Sequence, residues 1–215
     1  WILRFGRITK IEFYNQPIYG NSLLNSNASL ISPKNGIINV NSSKEIELKM
    51  VVSPDMLSAS LVDLLDHLGV KSVKEQWLVN TYYDTDDLLL NRARIALRVR
   101  QKDGRFIQTL KTAGSSVGGL SQRGEWEWAL SENSLNVGCL AEGDWPEGIP
   151  VDELSPVFET NFKRISALIE RGGTKIELAI DDGDILVEGG QLSLAEIELE
   201  IIEGDVDVLF DIAAE

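Results

Sequence analysis

The chain has 215 residues, of which 43% are hydrophobic and 25% are charged, and its formal net charge is −14. This length fits one large domain or two small ones, and the composition is that of an ordinary globular protein. The single Cys139 excludes an intrachain disulfide, the acidity argues against a general nucleic-acid binder, and no apolar stretch approaches the ~20 residues of a membrane helix. We therefore expect a cytoplasmic protein with no nucleic-acid or membrane partner.

Residues 1–43 differ from the rest of the chain. They include a polar run rich in turn formers at 21–29, and they lack the basic start and apolar centre of a signal peptide. Within them, only 8–14 has the composition of a short strand. We interpret residues 1–43 as an extension, a linker or sequence added for expression, and we place the folded domain at residues 44–215.

The folded domain is predicted to begin with a strand and a helix. Residues 45–51 alternate polar and apolar side chains, as half-buried strands do. Ser53 is suited to cap a helix whose first position is Pro54. The amphipathic pattern of residues 56–67 then ends before Gly69, a residue that commonly terminates helices.

Strands joined by tight turns are predicted for most of the remaining chain. Asp103-Gly104 is a strong hairpin sequence between two β-prone segments. Because helices are few, the pattern favours an antiparallel sheet closed as a barrel, with helices as accessories. The strands are predicted at residues 78–83, 95–100, 106–112, 123–130, 165–170, 175–180, 185–188 and 192–202, with further turns at 171–173, 182–183 and 189–190.

Three segments depart from this strand-and-turn pattern. Residues 114–119 are rich in Gly and Ser but lack the lysine of a P-loop, so we predict a flexible hairpin connection. Ser155-Pro156 is predicted to open a short helix that ends before Lys163. Residues 205–215 carry apolar side chains at roughly helical spacing and are predicted to form a packing helix.

Charged side chains recur at every second position of several predicted strands, so they share one face of each strand. In most half-buried strands such a face points to water. Alternatively, these faces line the lumen of a barrel, where carboxylates would bind divalent metal and arginine and lysine would bind phosphate oxygens. The residues concerned are Glu45, Glu47 and Lys49; Arg98 and Arg100; Thr109 and Lys111; Arg123, Glu125 and Glu127; Lys175, Glu177 and Asp181; and Glu196, Glu198 and Glu200.

An ordered set of motifs resembles the CYTH superfamily, the triphosphate tunnel metalloenzymes. Glu45-Ile46-Glu47-Leu48-Lys49 matches the ExExK signature of that superfamily, and the resemblance covers about residues 44–203. The set is most similar to the bacterial inorganic triphosphatase branch, whose members often carry a second, helical CHAD domain. The other matching motifs are Tyr83-Asp84-Thr85, Leu97-Arg98-Val99-Arg100, Thr109-Leu110-Lys111, Arg123-Gly124-Glu125-Trp126-Glu127, residues 158–164, residues 177–181 and Glu196-Ile197-Glu198-Leu199-Glu200.

The resemblance implies a mainly β, α+β fold, a closed antiparallel eight-stranded β-barrel with a few accessory helices. It implies hydrolysis of tripolyphosphate to diphosphate and phosphate, with Glu45, Glu47 and Lys49 as catalytic residues, and a CHAD domain in the full-length protein. It also implies Mg²⁺ or Mn²⁺ as cofactor, bound by Glu45, Glu47, Glu196 and Glu198. The implied phosphate-binding residues are Lys49, Arg98, Arg100, Lys111, Arg123 and Arg164, and further candidates for binding metal or orienting water are Glu125, Glu127, Glu177, Asp181 and Glu200.

Two alternatives remain open at this point. Thiamine triphosphatases and class IV adenylate cyclases share the tunnel and most of its charges, although the sequence shows no clear aromatic clamp or adenine pocket. A non-catalytic polyphosphate-binding module would need the basic residues but not the acids. The four acids Glu45, Glu47, Glu196 and Glu198 therefore favour an enzyme over a binding module.

Overall fold

The computed structural model describes residues 39–117 and 120–214. The strand predicted at 8–14 and most of the predicted extension therefore lie outside the described residues. The first strand begins at Asn39, which is five residues before the predicted domain boundary at 44. Among the described helices, none combines the length and the apolar character that a membrane span requires.

Eight long antiparallel strands close into a barrel, as predicted. When the strands are numbered in chain order, neighbours around the ring are the first, ninth, eighth, seventh, second, third, fourth and sixth. The first and sixth strands also pair with each other, and this pairing closes the ring. A short fifth strand pairs only with the sixth. The strands are β1 (Asn39–Val51), β2 (Lys74–Asp84), β3 (Ala96–Lys102), β4 (Arg105–Lys111), β5 (Ser115–Val117), β6 (Leu120–Leu130), β7 (Ser155–Arg171), β8 (Thr174–Val187) and β9 (Gly190–Glu203).

The helices are short accessories to the barrel. Helix α1 has the predicted N-cap, because the Ser53 hydroxyl accepts a hydrogen bond from the Met56 amide at 3.2 Å. The residue that follows its C-cap, Gly69, adopts a φ of 68°, which suits glycine at a helix end. The helices are α1 (Pro54–His67), α2 (Leu89–Arg92), α3 (Asp207–Ala213) and two 3₁₀ turns at Val137–Glu142 and Val151–Glu153.

Two local predictions that concern the long ribbon formed by β7 and β8 were wrong. Ser155-Pro156 begins strand β7 and does not open a helix. Asp182-Gly183 continues strand β8 and does not form a turn. The β7–β8 ladder runs without a register shift from Glu159 to Arg171, and its hydrogen bonds override the local preference of these dipeptides.

The apolar faces of the strands point outward. Leu48, Leu178 and Leu199 are buried beneath α1 and α3, which contribute Leu57 and Leu209 to the same cluster. On another side of the barrel, Leu97, Leu110 and Trp128 pack against the 3₁₀ turn that carries Cys139 and Leu140. Because the two faces of a strand alternate, the charged faces line the lumen. The alternative in which they face water is therefore excluded.

The lumen also contains an apolar cluster, which the sequence did not predict. It consists of Leu78, Phe162, Ile185 and Leu194, supported by Phe158 and Val187. Phe162 precedes the lumen residue Arg164 by two positions, and Leu194 precedes Glu196 by two positions. This lumen cluster therefore lies directly beside the charged part of the interior, on β2, β7, β8 and β9.

Gly183 allows the backbone of β7 to approach β8 closely beside the lumen cluster. A Cβ atom at this position would lie 2.3 Å from the Asn161 carbonyl oxygen and 2.5 Å from the Phe162 Cα. Because both neighbours are backbone atoms, we expect Gly183→Ala to lower the free energy of unfolding by about 2 to 3 kcal/mol, measured by urea denaturation. Gly190→Ala is the matched control, since its Cβ would meet only a Val187 methyl group at 3.8 Å. Equal stability of the two variants would contradict this account.

Candidate functional site

One group of lumen charges is centred on β1. Lys111 Nζ donates to Glu45 Oε1 at 2.5 Å, and Arg123 Nε lies 3.3 Å from Glu45 Oε2. Arg123 also donates through Nη2 to Glu47 Oε1 at 2.6 Å. Burial opposes the charge on Glu45, but Lys111 and Arg123 outweigh it and lower the pKa of this carboxyl group. The predicted catalytic acids Glu45 and Glu47 are therefore buried and held by two bases, and Glu45 is ionised.

Three further acids surround this group. Glu125 lies 3.4 Å from Lys111 Nζ, and Glu127 accepts a hydrogen bond from the Thr109 hydroxyl at 3.2 Å. Burial, together with the nearby Glu45 and Glu125, raises the pKa of Glu200 to about 7. Glu200 therefore exchanges a proton close to neutral pH, whereas Glu45 stays ionised.

A second group joins three acids from β8 and β9 to two bases. Arg164 binds both carboxylate oxygens of Asp181, at 2.7 and 2.6 Å, and it donates to Glu198 Oε2 at 2.6 Å. Lys49 Nζ lies 3.2 Å from Glu196 Oε2 and also contacts Glu198. This geometry follows from the β8–β9 register, which places Asp181 opposite Glu196.

The three acids of this group have the donor set of a divalent-metal site. One carboxylate oxygen from each of Asp181, Glu196 and Glu198 lies within 4.8 Å of the other two. Burial and the neighbouring acids raise the pKa of both Asp181 and Glu196, so a further positive charge would be stabilised here. Carboxylate oxygens suit Mg²⁺ or Mn²⁺. We call Asp181, Glu196 and Glu198 the acid cluster.

Two lumen arginines form no salt bridge with a carboxylate of the described chain. Arg100 donates through Nε to Asn80 Oδ1 at 2.6 Å, and the Asn80 amide in turn donates to the Thr160 hydroxyl at 2.9 Å. Burial, followed by the nearby charges of Arg98 and Arg164, lowers the pKa of Arg100 to about 9. The buried Nε of Arg98 has no hydrogen-bond acceptor. These two guanidinium groups are therefore poised to bind an anion.

A cavity of about 190 Å³ connects the charged lumen to one end of the barrel. Its inner wall includes Glu47, Lys49 and Arg123. Tyr82 and Phe158 also line it, and their rings stack with centroids 4.3 Å apart and an angle of 11°. We call this space the mouth cavity. The sequence showed no clear aromatic clamp, and this stacked pair became visible only in the structure.

The predicted site residues are distributed over the lumen as follows. The predicted metal ligands divide between two groups: Glu196 and Glu198 lie with Asp181, whereas Glu45 and Glu47 lie with Arg123. Metal binding by Glu45 and Glu47 stays a prediction. Glu177 stands opposite Glu200 in the β8–β9 ladder, and its side chain is exposed beside a groove.

Sequence reasoning missed Asn80, Thr160 and Tyr82. Asn80 and Tyr82 share one face of β2 with Gln76 and Asp84, so a polar two-residue period was present in the sequence. Leu78 interrupts that period, and the segment was therefore interpreted only as β-prone.

Comparison with known proteins places this site in a recognisable family. The family model described as CYTH domain matches residues 43–215. The chain is also similar to the inorganic triphosphatase of Haemophilus influenzae, with 37% identity over 169 residues. That similarity covers 78% of this chain and 48% of the relative, so the chain spans about half the length of the curated relative.

Two solved structures share the fold. One is a Hippeastrum protein described as an adenylyl cyclase with a dominant triphosphatase activity, with a TM-score of 0.50, 22% identity, and coverage of 78% of this chain and 84% of that chain. The other is the RNA triphosphatase domain of a trifunctional mimivirus mRNA capping enzyme, with a TM-score of 0.51, 12% identity, and coverage of 80% and 87%. Identities this low show the barrel architecture only.

Proposed function

Since the chain belongs to the CYTH domain family, we propose that it hydrolyses inorganic tripolyphosphate to diphosphate and phosphate within its barrel, with Mg²⁺ or Mn²⁺ as cofactor. The observation that carries this proposal is the presence, in one lumen, of an acid cluster and of two arginines that form no salt bridge within the described residues. A binding module would need only the arginines. The similarity to an inorganic triphosphatase supports the inorganic substrate.

The bases of the lumen would bind and orient the phosphate chain. Arg98 and Arg100 form no salt bridge with a carboxylate of the described residues, and the Arg98 Nε has no acceptor, so they offer N–H donors to phosphate oxygens. Lys49, Arg123 and Arg164 are each already paired with an acid, so they would hold the substrate next to carboxylates. Hydrolysis of a phosphoanhydride depends mainly on such positioning and on charge stabilisation.

The acids would hold the metal and handle the proton of the attacking water. Asp181, Glu196 and Glu198 fit a divalent ion, which when bound supplies positive charge to the phosphate oxygens. The lumen carboxylates outside this cluster are within the same closed space and are candidates to accept the water proton. No covalent nucleophile is required, and the buried Cys139 lies in the outer apolar cluster, away from the lumen.

A substrate panel tests this proposal. Phosphate release is measured from tripolyphosphate, ATP and thiamine triphosphate, each with Mg²⁺, Mn²⁺ or EDTA. We expect rapid release from tripolyphosphate that EDTA abolishes, with slower release from both organic triphosphates. Preference for thiamine triphosphate or ATP would contradict the inorganic substrate. Binding of tripolyphosphate without release from any substrate would contradict the enzymatic proposal and leave a binding module.

A further inference from the structure

Arg94 adopts a backbone conformation that is unfavourable for an arginine. Its φ is 60°, in the left-handed region that glycine occupies readily and that a bulky side chain rarely adopts. Such residues persist only where the surrounding structure holds them, and they cluster at functional sites. Glycine would adopt this backbone conformation at a lower energetic cost, so the presence of arginine indicates a role for its side chain.

The segment around Arg94 is held firmly by a buried carboxylate. Asp84 Oδ1 accepts hydrogen bonds from the amides of Thr85 and Leu90, both at 2.8 Å, and Oδ2 accepts one from the amide of Asn91 at 2.9 Å. The Arg94 amide then donates to the Asn91 carbonyl at 3.0 Å. The connection between β2 and β3, which contains α2, therefore holds the backbone of Arg94 in place.

Arg94 lies at the solvent side of the mouth cavity. It lines that cavity together with Lys49 and Arg123, and its side chain is exposed. Within the described residues it forms no salt bridge, whereas Lys49 and Arg123 are both bound to acids. An unneutralised guanidinium group in an acidic chain is suited to meet an anion that passes through this opening.

We propose that Arg94 binds the phosphate group of the substrate that stays nearest to the mouth, and that it thereby favours an inorganic polyphosphate over an esterified triphosphate. This inference rests on the proposed function. A terminal inorganic phosphate carries about two negative charges near neutral pH and exposes three oxygens. An esterified phosphate carries less charge and an organic group, so it gains less from a planar guanidinium fork.

Three variants test the proposal. Arg94→Asn removes the charge but tolerates the left-handed backbone, and Arg94→Lys keeps the charge without the fork. Arg92→Asn is the matched control, because Arg92 is also exposed and lies two residues away but does not line the cavity. The Michaelis constants for tripolyphosphate and ATP are measured with Mn²⁺. Tripolyphosphate binding is measured separately by calorimetry in EDTA.

For Arg94→Asn, we expect the Michaelis constant for tripolyphosphate to rise roughly five- to tenfold and that for ATP to change about twofold. In Arg94→Lys, the Michaelis constant for tripolyphosphate should rise less. Equal weakening of both substrates, or an equal effect of Arg92→Asn, would overturn the selective role. If the wild-type protein hydrolyses neither substrate, the proposed function fails. The calorimetric comparison of Arg94→Asn with Arg92→Asn still decides whether Arg94 binds tripolyphosphate.

A stability measurement separates ligand binding from a structural role. Since glycine accepts a φ of 60°, the Arg94→Gly variant is expected to show a thermal unfolding midpoint at or above that of the wild type, together with the same loss of tripolyphosphate affinity. A lower midpoint in both Arg94→Gly and Arg94→Asn would show that the arginine is there for stability, because asparagine lacks the extra unfolded-state freedom of glycine.

Discussion

Replacing Glu198 with glutamine is expected to reduce metal-dependent phosphate release about 100-fold or more, with the barrel intact. Glu198 is one of the three acids of the cluster, accepts a hydrogen bond from Arg164 and contacts Lys49. Burial opposes its charge, but Lys49 and Arg164 outweigh it and lower the pKa of this carboxyl group well below its usual range. The amide preserves the shape of the side chain but removes the negative charge that a divalent ion requires.

Two other variants make the Glu198→Gln result specific. Glu203→Gln is the control, because Glu203 lies on the same strand in an exposed pair with Lys175 outside the site. Glu45→Gln tests the ligand set that the family resemblance implies, since Glu45 binds Lys111 and Arg123 in this structure. Manganese affinity is measured for all three. Wild-type affinity in Glu198→Gln would contradict the acid cluster as the metal site, and weakened affinity in Glu45→Gln would extend the site to β1.

Replacing Arg100 with glutamine is expected to have opposite effects on stability and on catalysis. Arg100 carries a charge that burial and two nearby arginines disfavour, and no carboxylate of the described residues pairs with it. Removing the charge should therefore raise the free energy of unfolding of the ligand-free protein by about 1 kcal/mol or more, while the amide can still donate to Asn80. The same change should lower kcat/KM for tripolyphosphate about 100-fold, because a phosphate-binding charge is lost.

The pH dependence of this stability difference has a definite sign. The pKa of Arg100 in the folded protein, about 9, is below its ordinary value of 12.5. The unfolded chain therefore binds more protons between these values, and the stability of the wild type relative to Arg100→Gln rises with pH in that range. We expect urea denaturation to show the largest difference at neutral pH and a smaller one above pH 9. A difference that grows above pH 9, or a variant with full activity, would contradict this role for Arg100.

The alternating pattern of the strands predicted much of the barrel and of its charged interior. Glu45, Glu47 and Lys49 share one face because side chains alternate along a strand, and this holds wherever the strand lies. The pattern alone did not show whether that face meets water or a lumen. The order of the family motifs settled the question in favour of a lumen, and the ion pairs across the barrel agree with it.

The parts that the sequence did not reveal depend on contacts between distant segments. Asp182-Gly183 has the composition of a turn, but pairing with β7 on one side and β9 on the other keeps it in a strand. The place of Asp181 beside Glu196 depends on the register between β8 and β9, which no local pattern specifies. The left-handed backbone of Arg94 likewise depends on a turn that Asp84 holds through three amides.

The closure of the barrel also determines the stage of folding at which the lumen site forms. Strand β1 pairs with β6 and with β9, and the Lys49–Glu196 contact joins residues 147 positions apart. Bringing such distant segments together carries a large loop-closure entropy, so this pairing belongs to the slow, late part of folding. A growing chain that has not yet produced β9 contains Arg98, Arg100 and Lys111 but lacks two of the three acids of the cluster. Completion of the fold and assembly of the acid cluster are therefore one event, because β9 supplies Glu196 and Glu198.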